Sequence, residues 1–416
     1  MKKNQTLLSC VIVAMALGTS WAVRGKFGHE QGAAWAGAIG ALALLLVANR
    51  SDWYDKIFKV TLAAAIGWGV GGMISYGVVV GYGRASDFVN VYYGLTMLFV
   101  IGGLYGFLGG GLFGLALADS KEFKVKWHSL ITEMVAMGFL VYYFLIEQIG
   151  WLMTPPRSEL WAACLGAAVA LAWYIIRHKQ QAVLKVAVWS SLGAGFGFAF
   201  GNFLQVLGTG SSLPFNFWNI MEYSIGFFGG LGMAYGTLTS TWPLAPKTQG
   251  KVSNLVPMLL LFVFIPFVLW NQSFVSKKLQ FLLEIGGSES TIFSFQALSL
   301  ISIIIVGVVF FSRFYKESYD IRSVKTIFFS FFGLYIFLSF LLTGMYSHPI
   351  EQYLYLVNTV IIVLLLPRVN ETFNISEERP KKWLTAFGVV MAVLAVLAII
   401  AMSSHGEMLK GSQIRF

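Results

Sequence analysis

A chain of 416 residues that is 57% hydrophobic and only 12% charged lies far from a soluble domain, in which about 25% of residues are charged. Its formal charge of +10 invites a nucleic-acid partner, but the basic residues sit between long apolar runs, where membrane topology explains them. No barrel-type strand alternation is present, so helices are the expected spanning element and the fold class is an all-α integral membrane protein.

Apolar runs of about 17–25 residues, enough to cross a bilayer as a helix, recur along the chain. In order they are 7–23, 33–49, 57–80, 93–118, 130–152, 160–176, 184–206, 219–240, 254–271, 292–312, 326–344, 352–366 and 383–402, which predicts about 13 transmembrane helices. The first follows Met1-Lys2-Lys3 and resembles a signal peptide; it reads as a retained helix because it has a counterpart later in the chain. Alternate loops carry 21 of the 29 basic residues, among them Arg50, Lys124, Lys179, Lys247, Lys316, Arg322 and Arg379. Lys and Arg accumulate in cytoplasmic loops, so the expectation is an inner-membrane protein with a cytoplasmic N-terminus.

An offset of 126 residues brings residues 1–126 into register with residues 127–250. Trp35 and Gly40 fall on Trp161 and Gly166, Gly67, Gly69 and Gly71 on Gly193, Gly195 and Gly197, and Asn90 on Asn216. One further residue of slip pairs Gly102-Gly103-Leu104 with Gly229-Gly230-Leu231. The pattern predicts a parallel 4+4 repeat, because an even number of spans returns each copy to the membrane in the same orientation. Three regions follow: a first four-helix unit at 1–126, a second at 127–250, and a C-terminal membrane region at 251–416 with about five helices. Of 44 glycines, 36 lie in residues 1–250, so the duplicated part is expected to be the functional core. Gly102, Gly106, Gly110 and Gly114 share one helix face, a spacing that lets backbones approach closely in lipid.

Polar groups within spans are functional hypotheses by default. Glu133 lies near the expected cytoplasmic end of its span and can reach water. Glu147 and Glu222 lie near the expected outer ends of theirs. On the same side, the short connection Arg24-Gly25-Lys26-Phe27-Gly28-His29-Glu30 offers two cations, an imidazole and a carboxylate between glycines. Arg84 and Asn90 follow in the next outer loop, and Asn216 and Asn219 stand at its repeat counterpart. The expected substrate-binding set is Arg24, His29, Glu30, Arg84, Asn90, Glu147, Asn216, Asn219 and Glu222.

Cys10 and Cys164 are the only cysteines, and both fall in apolar runs, so neither a disulfide framework nor a metal site is expected. The histidines form no ligand cluster, His29-Glu30 lacks the second histidine of a zincin, and Gly25-Lys26 lacks the Ser or Thr of a phosphate loop. No cofactor is implied. The expected partners are the lipid bilayer and a small-molecule solute, with no nucleic acid. These features imply a multi-pass permease for a small polar solute, a sugar or an organic anion, with Glu222 or Glu147 available to couple transport to protons. The alternative is a membrane-embedded enzyme acting on a lipid-linked substrate from the external side, with His29 as acid or base and Arg24 or Arg84 clamping an anion.

Overall fold

The computed structural model describes residues 2–211, 213–244, 251–315, 319–345, 348–370, 372–376 and 380–416. Three basic residues used to orient the chain, Lys247, Lys316 and Arg379, lie outside the described residues. The structure is 79% helix, with no strand among the described residues. The helices are α1 (Lys2–Arg24), α2 (His29–Ala48), α3 (Ser51–Tyr54), α4 (Ile57–Gly72), α5 (Gly77–Tyr82), α6 (Phe88–Ala118), α7 (Trp127–Tyr142), α8 (Leu160–Arg177), α9 (Gln181–Thr209) and α10 (Phe217–Leu238). The remainder are α11 (Lys251–Leu259), α12 (Ile265–Ser273), α13 (Ser276–Leu279), α14 (Phe281–Glu284), α15 (Glu289–Phe314), α16 (Ile321–Ser339), α17 (Ile350–Leu365) and α18 (Pro380–Ser404). Among the described residues, 11 helical segments are long and apolar enough to cross a membrane. The chain is thus an all-α membrane protein.

Every expected apolar run contains a helix, but one is broken. The run 57–80 is not continuous: α4 ends at Gly72, residues 73–76 leave the helix, and α5 begins at Gly77. Gly71-Gly72 before the break and Ser75 and Gly77 around it explain this, because glycine gives up helix stability and serine offers the backbone competing hydrogen bonds.

Six helices close into a ring in the order α1, α2, α4, α6, α9, α10, with α10 packed back on α1. Glycine makes these seams possible. A Cβ on Gly106 would stand 2.1 Å from the Ser190 carbonyl oxygen on α9, and one on Gly197 would stand 2.3 Å from that of Ser224 on α10. No side chain larger than hydrogen fits at such separations, and the close approach lets dispersion hold the helices where lipid removes most of the hydrophobic drive.

The middle of the ring is filled by aromatic side chains. Trp68 of α4 packs edge-on against Trp21 of α1, with ring centroids 5.0 Å apart, and lies against Gly37, Gly109 and Gly229 of three other ring helices. Tyr105 of α6 follows 5.6 Å from Trp21, and Phe198 of α9 lies 6.0 Å from Tyr105. All four are fully buried.

The other helices surround this ring. The α7–α8 hairpin packs on α6 through α8, α16 lies on α2, α17 lies along α1, and α18 lies against α6 and α9. Trp35 of α2 stacks on both Phe331 and Tyr335 of α16, at 4.7 and 4.8 Å. The outward faces are apolar and bare, as with Phe139 on α7, Phe293 and Val308 on α15 and Leu364 on α17. Such a surface suits hydrocarbon and would be a liability in water.

Candidate functional site

The end of α1 carries Arg24 into the ring, where the guanidinium is 2% exposed. A charge so deep needs partners, since an unpaired one in an apolar setting costs several kcal/mol. Three converge on it. From α10, Glu222 Oε2 accepts from Arg24 Nη1 at 2.8 Å. From the break between α4 and α5, the Tyr76 hydroxyl accepts from the same nitrogen at 2.9 Å and donates to Glu222 Oε1 at 2.5 Å. From the start of α2, His29 Nδ1 stands 2.9 Å from Arg24 Nη2. A guanidinium can only donate, so Nδ1 is the acceptor and the proton of a neutral ring sits on Nε2. Arg24 also lies over the rings of Trp21 and Tyr76, at 5.3 and 5.6 Å, which joins the charged cluster to the aromatic layer beneath it. Its Nε is buried with no partner among the described residues.

This cluster forms the floor of a polar cavity of about 220 Å³, whose wall includes Lys26, Asn216, Trp218 and Asn219. Two residues of α17 brace that wall. Glu351 accepts from Lys26 at 3.3 Å and from Asn216 at 3.2 Å. Asn219 donates to the Tyr355 hydroxyl at 2.6 Å and to the Ala22 carbonyl at 3.0 Å. Two cations and two carboxylates therefore balance around the opening. The cavity exceeds an engineered 150 Å³ void that accepts benzene, so it has room for a solute of somewhat more atoms.

Of the nine residues singled out from sequence, Arg24, His29, Asn216, Asn219 and Glu222 line this cavity. Arg84 reaches it only through Trp218, over whose ring it lies at 5.2 Å, while its Nη1 donates to the Lys410 carbonyl at 2.9 Å. Asn90 is placed elsewhere: its Nδ2 donates to Asp87 at 2.9 Å, and its Oδ1 accepts from the backbone N–H groups of Arg415 and Phe416 at 2.6 and 3.2 Å. The expected pairing of Asn90 with Asn216 at one site is thus not what the structure shows. Glu30 is exposed and lines a separate lateral groove with Gln31, Met73 and Gln272. Glu147 is exposed in a π-helical turn after α7 and does not line the cavity. Glu133 bonds Arg177 across the α7–α8 hairpin at 2.6 Å.

Sequence reasoning missed Tyr76, Trp218, Glu351 and Tyr355. The glycines flanking 73–76 were the available signal for a helix break and hence for Tyr76. Nothing local marks Glu351 or Tyr355, which reach the cavity from a helix far along the chain. Among the described residues no group of His, Cys, Asp and Glu is arranged to hold a metal ion. Comparison with family models, curated proteins and solved structures gives no match to this chain.

Proposed function

We propose that the chain is a permease for a small, neutral, hydroxyl-rich solute of sugar-like chemistry, with the Arg24–Tyr76–Glu222 cluster as its binding floor. The observation that carries this reading is the helix break at residues 73–76, which delivers Tyr76 to a buried ion pair between α1 and α10. Discontinuous helices that aim polar groups into a bundle interior are a recurrent way to build solute sites in secondary transporters. Charge balance favours a neutral solute over an organic anion, because Arg24 is answered by Glu222 and Lys26 by Glu351. Below the floor, the indole N–H groups of Trp21 and Trp68 and the hydroxyls of Ser190 and Thr61 are buried and unpaired among the described residues. They place hydrogen-bonding groups at several depths along the ring, as a route requires and a single-ended pocket does not.

In the same reading the chain crosses the membrane about 13 times with its N-terminus in the cytoplasm, so the cavity faces outward and the aromatic layer is the closed gate. The parallel 4+4 repeat is supported by glycine pairs: Gly67 and Gly71 seat α4 on α6, as their mates Gly193 and Gly197 seat α9 on α10. Between those pairs the copies have diverged, since Gly69 meets α2 whereas Gly195 meets α6. Glu222 is the carboxylate placed to couple transport to protons.

Counterflow into proteoliposomes tests the reading, using labelled monosaccharides, linear polyols and small carboxylates in turn. Accumulation of one of the hydroxyl-rich solutes by wild type, abolished in Glu222→Gln, is expected. Accumulation confined to carboxylates, or none across the panel, refutes it. A second reading, an enzyme acting on a lipid-linked substrate, draws support from His29, an acid–base group at the rim of a cavity that closes beneath on aromatic rings.

A further inference from the structure

A second and larger cavity, about 590 Å³, lies at the opposite end of α1 between α1, α9, α10 and α18. Its wall is sorted by depth. Lys3 and Lys382, near the starts of α1 and α18, stand at the mouth with Ser376, whereas Leu192, Phe196 and Phe228 form the deeper wall. From Lys3 to Cys10 on α1, both of which line the cavity, the helix descends about 10 Å. Over that distance the lining passes from ammonium groups to hydrocarbon and aromatic faces. Among the described residues, no carboxylate lines the cavity and neither Lys3 nor Lys382 has an ion-pair partner. A third cation lies just behind the mouth: Lys185 Nζ donates to the Thr239 and Ser376 carbonyls at 3.0 and 2.9 Å.

We propose that this groove binds an anionic glycerophospholipid of the adjoining leaflet. Its phosphate lies between Lys3 and Lys382, and one acyl chain runs past Leu192, Phe196 and Phe228. The polar-to-apolar order of the wall matches an amphiphile and fits neither a free anion nor a soluble solute. Acyl chains gain little by leaving bilayer for an equally apolar wall, so retention depends on the head group, and two cations at the mouth, unpaired among the described residues, select an anionic one.

Native mass spectrometry of the detergent-purified protein, with dioleoylphosphatidylglycerol or dioleoylphosphatidylcholine added at equal concentration, reads this directly. Phosphatidylglycerol adducts are expected to be retained well above phosphatidylcholine adducts. The Lys3→Gln/Lys382→Gln variant should lose that preference by about thirty-fold, the effect of removing two cations that each face an anionic head at close range. Ala386→Phe, which fills the groove from α18 while both lysines keep their charge, should remove both adducts while size-exclusion behaviour stays that of wild type. Equal retention of the two lipids, or unchanged phosphatidylglycerol binding in either variant, overturns the proposal. So does displacement of the lipid by glycerol phosphate alone, which would show a free-anion site.

Discussion

Glu222 is 4% exposed and Arg24 2%, so their ion pair can be tested by removing its members singly and together. Glu222→Leu leaves the guanidinium buried with only Tyr76 and His29 as hydrogen-bond partners among the described residues. Breaking a buried pair from one side costs about 3–5 kcal/mol. Arg24→Met should cost a similar amount. The double variant no longer buries a charge, yet it strands the Tyr76 hydroxyl, which among the described residues bonds only these two side chains; an unmade buried hydrogen bond costs about 1–3 kcal/mol. Adding Tyr76→Phe removes that last group. The order of stability should therefore be wild type near the triple variant, then the double, then either single. Unfolding by dodecyl sulfate in mixed micelles, followed by tryptophan fluorescence, measures it. The triple variant should fold yet show no counterflow. Single variants that lose less than about 1 kcal/mol, or a triple variant no more stable than the singles, would refute the claim that these three groups form one closed electrostatic unit.

Three further outcomes follow from the same geometry. Gly106→Leu should prevent recovery of a monodisperse protein, because its Cβ would meet the Ser190 carbonyl, whereas Gly333→Ala, with nothing within 4 Å, should behave as wild type on size-exclusion chromatography; equal behaviour would show that the α6–α9 seam does not need glycine. Asn90→Ala should raise amide hydrogen exchange in the 409–416 segment several-fold, as the N–H groups of Arg415 and Phe416 lose their acceptor, and unchanged exchange would contradict that anchor. Glu351→Gln should be milder than Glu222→Leu, costing about 1 kcal/mol or less, because Lys26 is 19% exposed at its side chain and partly solvated charges are worth little; the same unfolding titration decides this.

The positions of the helices were legible because hydropathy reports directly on which segments can lie in lipid. Arg24, His29 and Glu222 were legible for a related reason, since polar groups at the ends of apolar runs are conspicuous. The ring was not. Helical hairpins of similar length can be ordered in many ways, and hydropathy carries no term for which neighbour a glycine face meets. Asn90 shows how a repeat can mislead: its mate Asn216 lines the cavity, while Asn90 lies three residues after Asp87, whose side chain caps the start of α6. Asn90 is thus engaged in the helix cap, with no site attached. The region after residue 250 fell outside the expected functional core, and its outer surfaces are apolar, yet Glu351 and Tyr355 on α17 brace the cavity wall. Only a tertiary contact could reveal that.

The central claim is a solute pocket open at one end of the ring and closed beneath by Trp21, Trp68, Tyr105 and Phe198. Thiol accessibility in intact cells tests it most directly, in a background where Cys10 and Cys164 are alanine. Asn219→Cys lines the cavity above the aromatic layer, and Ser190→Cys lies on α9 about two turns deeper than Phe198. An impermeant methanethiosulfonate added outside should modify position 219 and leave position 190 unreacted. Modification of both, or of position 190 alone, would contradict the account.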